Sequence, residues 1–171
     1  MKNLIYLLLV VLVFTSCQQQ KIGYVNNGTL LKDYQEAKDL ETEFQGKEEA
    51  FKKKADSIGQ AFQLEVQETQ LKAQKSSQKK AQELMGGLQQ KQQLLQQQMQ
   101  FEQQQLAQSA QAESDSLVLK IKDFIKDYAK KNQYTFILGT SDGASSVIYG
   151  KEGTDLTETI LEALNAEYKK E

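Results

Sequence analysis

The chain has 171 residues, a net charge of −2 and a pI near 5.4, with neither Arg nor His and one cysteine. That balance excludes the broad basic field on which nucleic-acid binding depends. It also removes the commonest general base and metal ligand and any thiolate cluster, so neither a cofactor or metal nor an enzymatic reaction is expected.

Residues 1–17, MKNLIYLLLVVLVFTSC, place Lys2 before an apolar run over residues 4–14 and small polar residues before Cys17. The run is too short to span a bilayer and has the form of an export signal. Phe14-Thr15-Ser16-Cys17 resembles a bacterial lipoprotein cleavage box, although Leu is usual where Phe14 stands. On that reading Cys17 becomes the lipidated first residue and anchors the chain to a membrane, stably if it carries more than one acyl chain. The rival reading is ordinary cleavage nearby and an unmodified thiol. Lipidation also accounts for a lone cysteine in an oxidising compartment.

After a polar spacer at residues 18–21, Ile22-Gly23-Tyr24-Val25 reads as a strand too brief to stand alone, which must pair with strands far along the chain. Asn26-Asn27-Gly28-Thr29 supplies capping side chains for a helix beginning near Leu30. From there to Lys131 apolar side chains recur every eleven positions. One series runs through Leu40, Phe51, Phe62, Ala73, Leu84, Leu95, Leu106, Leu117 and Tyr128; a second runs through Phe44, Ala55, Val66, Ser77, Leu88, Met99, Ala110 and Ile121. Eleven residues in three turns is about 3.67 per turn, so each series keeps to one face of a nearly straight helix. The positions between are mostly Gln, Lys, Glu or Ser, so this helix needs a partner.

The stripe is weakest over residues 69–80, near the midpoint, and a hairpin with its tip at residues 74–78 brings both ends back to one body. Two rivals remain. Gly86-Gly87 is the better helix breaker but leaves unequal arms. An unbroken helix would extend about 150 Å at ~1.5 Å per residue and part the first strand from the last ones. The tip is locally basic, because Lys72, Lys75, Lys79 and Lys80 lie between Glu68 and Glu83 with no acid among them. A solvated helix face accounts for most such clusters.

Beyond Asn132, Tyr134-Thr135-Phe136-Ile137-Leu138 reads as a strand, Asp142-Gly143 as a turn and residues 145–149 as the returning strand of a hairpin. Asp155-Leu156-Thr157-Glu158 has the form of a capping box, opening a helix with Ile160, Leu161, Leu164 and Tyr168 on one face. The fold class is therefore α+β, mostly α: a long antiparallel helical hairpin projecting from a small β-sheet or barrel body with a C-terminal helix. The divisions are residues 1–17 (signal), 18–29 (spacer and first strand), 30–131 (hairpin) and 132–171 (body strands and last helix).

That order resembles the Skp/OmpH family of periplasmic chaperones. The residues that carry the likeness are Lys21-Ile22-Gly23-Tyr24-Val25-Asn26, then Ile125-Lys126-Asp127-Tyr128-Ala129-Lys130-Lys131 before Tyr134, and Asp155-Leu156-Thr157 near the end. The resemblance implies a homotrimer whose strands join into a central barrel, with helical hairpins around a cavity that holds unfolded outer-membrane proteins without ATP. It departs from the family's basic arms, being acidic and Gln-rich, and in carrying a lipobox-like end. Client contacts are expected at Phe62, Leu71, Met85, Leu88, Leu95 and Met99, residues that serve equally well to join the two arms. The rival function is a structural or adaptor coiled-coil lipoprotein of the cell envelope.

Overall fold

The computed structural model describes residues 20–141, 143 and 146–169, so the export-signal reading and Cys17 lie outside the described residues. In chain order the elements are β1 (Ile22–Asn26), α1 (Asn27–Asp33), α2 (Gln35–Gln74), α3 (Gln78–Lys131), β2 (Phe136–Thr140) and α4 (Thr157–Tyr168). The described residues divide into two compact units, 20–35 with those from 119 to 169, and Glu36–Val118.

In the first unit β1 and β2 form a parallel pair with Ile22 opposite Phe136 and Asn26 opposite Thr140. A parallel pair needs a long crossover, which the helical segment between the strands supplies. The other edge of β1 is met by Thr154–Leu156: Tyr24 N–H donates to Thr154 O and Leu156 N–H to Tyr24 O, each at 2.9 Å. The expected hairpin partner of β2 is absent from the described residues. Residues 146–149 are irregular, and Ile148 and Tyr149 are 95% and 86% exposed. The turn signal at Asp142-Gly143 predicted a strand here; instead the segment that joins the sheet is Thr154–Leu156, past the irregular stretch, and it does so on the far edge of β1.

One face of the pair packs on α4. Val25, Leu30, Tyr34, Leu156, Ile160 and Leu164 are buried, while Leu161 and Tyr168 are half-buried. Gly23 is required here, because a Cβ would sit 2.5 Å from Leu156 Cδ1. The opposite face leaves Ile22, Phe136 and Leu138 exposed at 44%, 54% and 43%.

Three helix ends show which local signals act. Asn26 caps α1, its Oδ1 accepting from Gly28 N–H and Thr29 N–H. The helix therefore starts at Asn27, earlier than Leu30. Asp155 does not complete the expected capping box: its Oδ1 accepts from the N–H and hydroxyl of Thr157 at 2.9 and 2.6 Å, and Leu156 occupies the cap position without a side-chain bond. The third end, at Tyr34, interrupts what the periodicity reads as continuous helix. Tyr34 leaves the helical region with ψ 129°, its ring is 1% exposed and edge-on to Tyr168 at 6.1 Å, and Asn165 Oδ1 accepts from Gln35 N–H at 2.8 Å.

In the second unit α2 and α3 run antiparallel as a helical hairpin. Between them Lys75 and Ser76 N–H groups donate back to Lys72 and Ala73 carbonyls, and the Ser77 hydroxyl accepts from Lys80 N–H at 3.4 Å, a long cap. Serines satisfy helix-end groups here. At Gly86-Gly87 the helix continues without interruption, and nothing lies within 4 Å of where either Cβ would stand.

Candidate functional site

The hairpin in the second unit carries the candidate binding surface. Its two eleven-residue series form the seam between the arms: from Leu40 to Ala110 every position of either series is buried or half-buried, except Ser77 in the turn. Two ion pairs fix the register, Lys54 on α2 with Glu102 on α3, at 2.7 Å, and Lys91 on α3 with Glu65 on α2. Each pair of residue numbers adds to 156, so the arms meet in one unbroken antiparallel register. The Lys54 ammonium, and after it the Gln98 amide, holds the Glu102 carboxyl below its ordinary pKa.

The six expected contact residues divide between seam and surface. Phe62, Leu95 and Met99, with Ala55 and Ile58, border an open groove of about 580 Å³ between the arms. Phe62 also borders a second groove of about 720 Å³ with Val66, Met85 and Leu88. Leu88 is buried, and Phe62, Leu95 and Met99 are half-buried, so these four join the arms. Leu71 and Met85 are exposed, at 58% and 44%, and Leu71 borders neither groove.

Periodicity missed three further apolar side chains that stand in solvent: Leu64, Leu94 and Phe101, exposed at 62%, 63% and 61%. Leu64 and Leu71 are seven residues apart, as are Leu94 and Phe101, which puts each pair on one face two turns apart. Their signal was present as this spacing, but they fall outside the stripe that reports the seam.

At the hairpin turn the four lysines are unequal. Lys72 pairs with Glu68 at 3.6 Å and Lys80 with Glu83 at 3.2 Å, while Lys75 and Lys79 have no carboxylate within pairing distance among the described residues. The patch therefore presents two uncompensated charges instead of four.

In the first unit, a groove of about 380 Å³ is bordered by Tyr34, Lys120, Asp123, Asp127, Lys131 and Glu167, among others. Asp123 is held below the usual carboxylate range by the Lys126 ammonium, which it raises in turn. Burial, then the charge and hydrogen bond of Asp155, push the Tyr24 hydroxyl up. Among the described residues there is no cluster of three or more His, Cys, Asp or Glu side chains able to hold a metal ion, and no helix is long and apolar enough to cross a membrane.

Comparison with known proteins agrees with this geometry. The family model described as outer membrane protein (OmpH-like) matches residues 21–164. Among solved structures, that of a candidate outer membrane chaperone (OmpH-like) from Caulobacter crescentus CB15 superposes with a TM-score of 0.75. It covers 89% of this chain and 88% of its own at 14% identity, a likeness of fold. No curated protein matches.

Proposed function

The chain belongs to the OmpH-like family of outer membrane proteins, and on that premise we propose that it is a periplasmic, ATP-independent holdase that binds unfolded outer-membrane proteins along its helical hairpin. The observation that carries this reading is the set of large apolar side chains, Leu64, Leu71, Met85, Leu94 and Phe101, left in solvent outside the two series that join the arms. A holdase needs no bond-making chemistry, only apolar surface that binds exposed segments weakly and in many registers. Leu71 and Met85 are the open members of the expected contact set; Phe62, Leu88, Leu95 and Met99 border the grooves between the arms.

The partly open sheet face with Ile22, Phe136 and Leu138 supports a homotrimer, since a two-stranded sheet holds little core by itself and further copies would cover that face. Cys17 is assigned as the lipid anchor on the lipobox-like sequence alone, which would tether the assembly to a membrane. The basic tip, with Lys75 and Lys79 uncompensated, is read as a solvated helix end and not as part of the client surface.

Replacing residues 60–105 by a short turn tests the reading. The oligomer mass by light scattering should stay at a multiple of three chains, while suppression of aggregation of several unrelated unfolded barrel proteins is lost. Suppression that survives removes the arms from the client site. Protection confined to a single folded partner selects the adaptor lipoprotein instead.

A further inference from the structure

Charge is distributed along α3 in a way the holdase reading does not require. Between Glu83 and Glu113 the helix carries only Lys91 and Glu102, and each is consumed in an ion pair with α2. On the face that holds Leu94 and Phe101, Gly87, Leu94, Gln97, Phe101, Gln105 and Ala112 are all exposed and uncharged, and Lys91, three residues before Leu94, stands at its edge with its charge paired to Glu65. That face runs about 37 Å at ~1.5 Å per residue. Of the glutamines between residues 89 and 105, Gln98 alone has its amide engaged with a side chain among the described residues, donating to Glu102 at 3.1 Å.

We propose that this face of α3, free of unpaired charge, binds the uncharged, extended stretches of an unfolded chain, recognised through their peptide groups and apolar side chains and not through net charge. The proposal rests on the holdase reading and names the chemistry of its client. A glutamine amide is both donor and acceptor, as a peptide group is, so a row of them can meet a backbone in any register. Leu94 and Phe101, two turns apart, supply apolar area for side chains of the same segment. With no unpaired charge on the face, and the bordering Lys91 and Glu102 each neutralised by a partner on α2, little is left for salt to screen or to repel an acidic or a basic client.

The test uses the purified chain and an eight-stranded outer-membrane barrel protein diluted from urea, alongside a version of that probe with its net charge reversed. Affinity for both probes should change by less than about twofold between about 50 and 500 mM NaCl, since surface charge pairs would weaken strongly over that range. Leu94→Ser with Phe101→Ser should weaken both by about tenfold or more, as expected from apolar area lost. Gln97→Lys with Gln105→Lys should make binding salt-dependent and favour the acidic probe. Binding that falls steeply with salt in the unaltered chain, or that ignores Leu94→Ser with Phe101→Ser, overturns the proposal and leaves the holdase reading standing. A change of oligomer mass in that double variant, with client binding intact, assigns the face to a second copy and overturns it too. If neither probe binds, both readings fall.

Discussion

The side chain of Asn165 on α4 accepts a hydrogen bond from the backbone N–H of Gln35, the first residue of α2, across 130 positions of sequence. It acts as an N-cap supplied from another element, because Tyr34 has left the helix and cannot continue the ladder. Asn165→Ala should cost about 1 kcal/mol, the usual worth of a lost cap. Urea unfolding followed by circular dichroism reads this, and Asn165→Asp, which keeps the acceptor, should retain most of the stability.

Gln133 lies just past the end of α3 with φ 57°, in the left-handed region, while Tyr134 N–H donates to Ala129 O at 2.9 Å. Glycine is the residue such a position favours. Gln133→Gly should therefore stabilise the chain by about 0.5–1 kcal/mol in thermal or urea unfolding. A loss of stability would show that the glutamine side chain contributes more than the backbone costs.

Glu102 is held below its ordinary pKa by Lys54 and Gln98. A depressed folded-state pKa contributes stability that is present above the unfolded carboxylate value and is lost as pH falls through the folded one. The contact between the arms should thus loosen in acid, below the normal glutamate range, and be unaffected at neutral pH. Carbon NMR of the Glu102 carboxyl should show a midpoint under the ordinary glutamate value of about 4.3, moving up toward it in Lys54→Met.

Gly86 and Gly87 sit in the interior of α3 with no neighbour that a Cβ would touch. Alanine at both positions should stabilise the hairpin by about 1–2 kcal/mol in sum, from helix propensity alone. Hydrogen exchange of the neighbouring amides should slow accordingly; unchanged exchange would mean that these glycines do not limit local opening.

Ile160 is fully buried on the face of α4 against the sheet. Ile160→Ala should destabilise by about 2–5 kcal/mol, and in so small a core that places folding itself in question. Ile160→Val, at about 0.5–1.5 kcal/mol, keeps the measurement within range.

Much of this architecture is legible in the residues. An eleven-position apolar repeat can satisfy only a helix, and the structure puts nearly all of it at or near a buried seam, because a narrow stripe of Leu, Phe and Met is stable only when covered. Asn26 is readable as a cap, since its effect reaches only two and three residues. Ile160 and Leu164 are readable as one face of a helix for the same local reason.

What only the tertiary structure decides lies in contacts between distant residues. Periodicity cannot report that α1 and α2 break at Tyr34, because the replacement acceptor stands on Asn165. Local pattern also put residues 145–149 beside β2, whereas the partner of β2 is β1, in parallel, and Thr154–Leu156 takes the far edge. Strand pairing is a choice among competitors far apart in sequence, settled by which arrangement buries Val25, Leu156 and Ile160 together. The same holds for the surface: the repeat names the residues that can hide, and only packing shows that Leu64, Leu94 and Phe101 are among those left in water.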